Sequence, residues 1–117
     1  QLKQGKGVII KGSLKRTRDL IYVEDVGKLI SKLIELNINN KIINMGTSKS
    51  TEIRKIIEIC SKYFPKNNKK LILENKTQGD PRHAVEDINE LKKIFKKLKF
   101  TKLELGIKKT FKNFKIK

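Results

Sequence analysis

One cysteine, two prolines and no tryptophan occur in these 117 residues, and acidic side chains are few. The lone thiol, Cys60, excludes an internal disulfide and any multi-thiolate metal site, which fits a reducing compartment. No apolar run approaches the roughly 18 residues a membrane helix needs, and no signal-like hydrophobic segment is present. The expected localisation is therefore cytoplasmic, with no membrane partner. The first residue is Gln1 and not Met, which suggests a processed product or a piece of something longer. Catalytic templates are missing too. Gly5, Gly7 and Gly12 do not form a G-x-G-x-x-G turn, there is no phosphate loop, and no serine sits in a G-x-S-x-G elbow. The single histidine, His83, has no second histidine or cysteine with which to share a metal, so no metal is expected. Neither Tyr22 nor Tyr63 has a lysine four residues later that could lower the phenol pKa.

Positive charge is abundant: 29 basic residues against 12 acidic give a net charge of +17. Such a balance normally points to nucleic acid, an anionic surface or an anionic substrate. Only four of the basic residues are arginine, however, and the lysines are spread over most of the chain. Lysine enrichment of this kind reads as solvated faces, because recognition that depends on geometry favours the guanidinium fork. At 13.6 kDa the chain fits one unit with a modest core.

Apolar periodicity predicts an α/β fold in which short strands alternate with about four helices. Residues 8–10 form a β-branched run closed by Gly12, and residues 20–23 form a second. Glu24 and Asp25 suit a helix start, and Val26, Leu29, Ile30, Leu33 and Ile34 continue at helical spacing to about residue 36, before Asn37-Ile38-Asn39-Asn40. Residues 41–45 read as a strand, with Gly46 to Ser50 turning into a second helix capped by Ser50. Ile53, Ile56, Ile57, Cys60 and Phe64 share one face of that helix, and Pro65 ends it. Residues 71–73 read as another strand, followed by the breaker cluster at 77–81. Asp87 with Glu90 and Thr101 with Glu104 have capping-box spacing. The first opens a helix carrying Ile88, Leu91, Ile94, Phe95 and Leu98; the second opens one carrying Leu103, Ile107, Phe111 and Phe114.

Two arginines occupy informative places in a chain that otherwise uses lysine. Arg18 precedes the second β-type run, and Arg82 follows Gly79-Asp80-Pro81. A guanidinium binds phosphate oxygens bidentately, which an ammonium cannot do. The competing reading is surface pairing, of Arg18 with Asp19 or Asp25 and of Arg82 with Glu86 or Asp87, worth little.

Five motifs in order then carry a resemblance: Gly12-Ser13; Arg18-Asp19-Leu20-Ile21-Tyr22-Val23-Glu24-Asp25-Val26; Ile43-Asn44-Met45-Gly46-Thr47; Gly79 through Ile88; and Leu103-Glu104-Leu105-Gly106-Ile107. Together they resemble the C-terminal, substrate-binding portion of the NAD-dependent epimerase/dehydratase family, extended short-chain dehydrogenases that act on nucleotide sugars. The resemblance implies a chain that lacks its N-terminal Rossmann half. That half would bind NAD and carry the Tyr-x-x-x-Lys pair, so no catalytic residue is expected here and the chain would be inactive alone. Arg18 and Arg82 match the family's diphosphate-holding arginines, with Lys76 and His83 as weaker contacts. Asp25 and Asn44 match structural positions. The implied partners are a nucleotide-sugar, the missing Rossmann half and, in the complete enzyme, a second copy in a homodimer.

The sequence also departs from the family pattern. Thr77 stands where many members have a further arginine, Ser48 stands where they have a second glycine, and Lys11 precedes Gly12 where an aromatic is frequent. The sugar, base and reaction type stay open. The alternative is a small basic module binding nucleic acid or another polyanion non-specifically. The segment from Lys92 to Lys117, with eleven lysines to one glutamate, is its best support. Phe95, Phe100, Phe111 and Phe114 there fit a core face better than a base-stacking platform. Cys60, on an apolar face, reads as a small hydrophobe.

Overall fold

The computed structural model describes residues 9–63, 72–74 and 79–113. The expectations for residue 8, Phe64, Pro65, the loop after it, residue 71, Lys76, Thr77 and Phe114 lie outside them. The fold is mixed α/β, as expected, with four helices and short strands among the described residues. They group into two compact units, one formed by residues up to Arg18 plus Ser50–Ala84, the other by Asp19–Lys49 plus residues from Val85 onward.

In the first unit β1 (Ile9–Lys11) runs parallel to β4 (Ile72–Glu74). A second sheet has β2 (Thr17–Arg18) at its centre, antiparallel to β3 (Thr51–Glu52) and parallel to β5 (His83–Ala84). Helix α2 (Ile53–Ser61) buries Ile59, with Ile53, Ile56, Ile57 and Cys60 half-buried. The expected Ser50 cap does not form. The helix starts three residues later, and loop carbonyls take its first free N–H groups: Ile53 N–H donates to Arg16 O (2.9 Å) and Arg54 N–H to Leu14 O (3.1 Å).

The second unit is helical. Helix α1 (Val23–Glu35) has Glu24 and Asp25 in its first turn, where the helix dipole favours negative charge. It ends in a double hydrogen-bonded cap: Asn37 N–H donates to Ile34 O and Ile38 N–H to Leu33 O, with Asn37 at φ 50°. Helices α3 (Asn89–Ile94) and α4 (Leu103–Asn113) complete it. Leu29, Ile88 and Leu91 form the buried core, packed by Ile21, Ile43, Met45, Phe95, Leu98 and Phe100.

Several expected elements change here. Residues 20–23 and 41–45 join no ladder, because no strand among the described residues lies alongside them. Their patterning still matters: Ile43 and Met45 face the core while Ile42 is 94% exposed. Helix α3 stops at Ile94, short of Leu98, and Phe95 turns extended (φ −112°, ψ 106°). A continued helix would put Phe100 about 140° around the axis from Phe95, whereas the non-helical path brings Phe95, Leu98 and Phe100 all onto the core. Neither capping box forms as spaced. Asp87 Oδ1 accepts from Asn89 N–H (2.9 Å), while Glu90 pairs with Lys93 at 2.5 Å. Thr101 gives both its N–H and its hydroxyl to buried Asp25, at 2.6 and 3.0 Å. No helix among the described residues is long and apolar enough to cross a membrane.

Candidate functional site

Strand β2 is where the sequence-predicted ligands gather. Its residues pair in register with β5, Thr17 opposite His83 and Arg18 opposite Ala84, and Thr17 N–H donates to Arg82 O at 3.0 Å. The backbones of Arg18, in β2, and Arg82, the residue just before β5, are therefore brought near each other although 64 positions separate them in sequence. His83 joins them: its Nδ1 and the buried Thr17 hydroxyl share a hydrogen bond of 3.0 Å. Lys76 lies outside the described residues.

Arg18 pairs with neither Asp19 nor Asp25. Its NH2 group is bonded to Asp80, and NH1 donates to Thr17 O (2.7 Å) and Pro81 O (2.9 Å). Arg16 binds the other oxygen of the same carboxylate. A second guanidinium on one carboxylate leaves the cluster with net positive charge, in a half-buried setting where charge-assisted bonds are stronger than at an open surface. Three of the five guanidinium N–H groups of Arg18 are used this way, which fixes the plane of the fork and leaves two donors. Arg82 differs. It is exposed, and among the described residues its guanidinium has no ion pair.

Sequence reasoning missed Arg16 and Asp80, the pieces that orient Arg18. The available signals were the turn glycine at position 12, held at φ 90° with the Arg16 guanidinium 3.0 Å from where a Cβ would sit, and the Gly79-Asp80-Pro81 turn itself.

The second unit holds its own polar centre. Asp19 accepts hydrogen bonds from Thr47 N–H, the Thr47 hydroxyl, Ser48 N–H and Glu86 N–H. Asn44, expected to be structural, donates from Nδ2 to Asp87 O at 3.2 Å. Tyr22, buried beside Gly106, donates its phenol to Glu24 (2.9 Å), and Lys109 lies 5.3 Å above its ring centre. Burial, then the bond to Glu24, raises the Tyr22 pKa, and the same bond lowers that of Glu24. Burial also raises the Cys60 thiol, which leaves it poorly suited to act as a nucleophile.

Known proteins share sequence and fold with this chain. The sequence model of the NAD dependent epimerase/dehydratase family matches residues 1–46. The fold superposes on a solved UDP-N-acetylglucosamine 4-epimerase of Methanobrevibacter ruminantium with a TM-score of 0.80 and 27% identity, over 97% of this chain and 36% of that one. The chain is similar to members of the epimerase/dehydratase family. A UDP-glucose 4-epimerase of Thermotoga maritima, solved with UDP-glucose, gives a TM-score of 0.77 at 25% identity over the same shares. Among curated proteins, one of Methanocaldococcus jannaschii provisionally named UDP-glucose 4-epimerase is 37% identical over 59 residues, 50% of this chain and 19% of that protein. An uncharacterized protein of the same organism is 28% identical over 105 residues, 90% of this chain and 32% of that protein. The chain thus spans about a third or less of the length of the relatives it matches.

Proposed function

We propose that this chain is the substrate-binding C-terminal portion of an NAD-dependent nucleotide-sugar epimerase or dehydratase, with Arg18 and Arg82 holding the diphosphate. The observation that carries the reading is the β2–β5 pairing, which brings the backbone of Arg82, just ahead of β5, alongside the strand that holds Arg18. Arg18, oriented by Asp80, supplies an immobilised fork, and exposed Arg82 supplies a second cation. His83 and Lys76 contribute weaker contacts. Similarity to enzymes solved with UDP-glucose and with UDP-N-acetylmuramic acid supports a nucleotide-sugar as ligand.

Binding energy from the diphosphate, remote from the reacting carbons, would orient the sugar ring for chemistry performed elsewhere. That chemistry belongs to an N-terminal Rossmann half, which would hold NAD and supply the catalytic residues; NAD's part is to take a hydride from the sugar. The complete enzyme would be cytoplasmic. Val23, Ile34 and Ile42, at 72%, 70% and 94% exposure, are apolar side chains that such a half would cover. Calorimetric titration with UDP- and dTDP-sugars, with and without a complementing N-terminal half, tests the proposal. Binding in the complemented form that disappears in Arg82→Ala is the expected result. No binding in the complemented form overturns it.

A further inference from the structure

The second unit carries a cavity that the proposed diphosphate site does not use. It has a volume of about 120 Å³; Leu29, Phe95, Leu98 and Phe100 line it with apolar surface, and four lysines, Lys28, Lys32, Lys97 and Lys99, share that lining. Asp25, the one acidic group there, has both carboxylate oxygens committed to Thr101. Lys28 and Lys32 are one helical turn apart on α1, a spacing at which like charges repel. Glu24 draws on Lys28 from a turn earlier, yet none of the four lysines makes an ion pair among the described residues. Four lysines thus line an apolar cavity against a single carboxylate, Asp25, whose oxygens are held by Thr101.

We propose that this cavity is a docking site for an acidic peptide segment, which seats one aliphatic side chain among Leu29, Phe95, Leu98 and Phe100 and sets flanking carboxylates against the four lysines. Size favours this occupant over a nucleotide, because 120 Å³ holds roughly one branched side chain and not a base with its sugar. Charge favours it over a neutral peptide, since the lysines raise the local concentration of anions and fix the orientation of the segment. The apolar floor sets it apart from the non-specific polyanion binding that a net charge of +17 would favour anywhere on the surface.

The test is an NMR titration of the 117-residue chain with Ac-Glu-Glu-Leu-Glu-Glu-NH2, against the same peptide with Ala for Leu. The leucine peptide should bind at least about tenfold more tightly, with shifts centred on Leu29, Leu98 and Phe100, because three extra carbons leave water. The double variant Lys28→Gln/Lys32→Gln should weaken it about tenfold or more. The charge-matched control Lys55→Gln/Lys62→Gln, on α2 and at its C-terminal cap, should change it less than about twofold. Equal binding of the two peptides, equal loss in the two double variants, or no shift at the cavity would each overturn the proposal. Tighter binding of a single-stranded oligonucleotide at this same cavity would overturn the assignment to a peptide. None of these readouts depends on the diphosphate site, so failure here is distinguishable from failure of the nucleotide-sugar reading.

Discussion

The Asp19 carboxylate accepts both hydrogens that Thr47 can offer, the N–H at 3.0 Å and the hydroxyl at 2.5 Å. Ser48 and Glu86 add their amides at 2.8 and 3.4 Å, so one half-buried side chain ties together three stretches of its unit. Asp19→Ala would orphan these donors, and Asp19→Asn would keep the shape but lose the charge. Chemical denaturation should find the alanine variant destabilised by about 2–3 kcal/mol and the asparagine variant by about half that.

Gly46 sits where this network closes. A Cβ there would lie 2.5 Å from Glu86 Cβ and 2.7 Å from Asp19 Oδ2, too near for either to remain in place. Gly46→Ala should therefore cost about 2–3 kcal/mol, comparable to losing the Asp19 network itself. Ser48, two residues on, has φ 57°, a left-handed conformation that costs a side chain energy. Ser48→Gly should raise stability by about 0.5–1 kcal/mol, with thermal melting as the check.

Arg18 and Arg82 should separate stability from binding. Arg18 is bound to Asp80, Thr17 and Pro81, so Arg18→Ala should lower stability by about 1–2 kcal/mol as well as weakening nucleotide-sugar binding in the complemented enzyme. Arg82→Ala should leave stability within about 0.5 kcal/mol and weaken binding alone. Melting curves beside titrations read both. A large stability loss in Arg82→Ala would mean that it is a structural residue.

Tyr22 and Glu24 give the second unit a pH dependence at both ends. Glu24 has a lowered pKa, because it accepts the Tyr22 hydroxyl and sits near Lys109. Its contribution is present above the unfolded carboxyl value, ~4.3, and is lost as pH falls through the folded value. Tyr22 is raised, so its contribution is present below the unfolded phenol value, ~10, and is lost as pH rises through the folded one. In Tyr22→Phe the alkaline loss should vanish and the Glu24 titration, followed by carboxyl NMR, should move up towards its ordinary value.

Local chemistry made much of this protein legible in its sequence. Helix α1 follows from Val26, Leu29 and Leu33 at helical spacing with acids at its start; the core positions Leu29, Ile88 and Leu91 follow from the same periodicity; the family resemblance follows from ordered short motifs. These depend on neighbours a few residues away, so the order of residues determines them. Partners distant in the chain were decided by tertiary structure alone. Spacing assigned Thr101 to cap α4, but buried Asp25, 76 positions earlier, claims both of its donors. Spacing offered Arg18 the carboxylates of Asp19 and Asp25, but strand pairing delivered Asp80 instead. Residues 41–45 have the alternation of a strand, yet a ladder needs a second chain segment alongside, and none of the described residues provides one. A hydrogen bond is satisfied by whichever group the fold brings within about 3 Å, and sequence separation does not enter that distance.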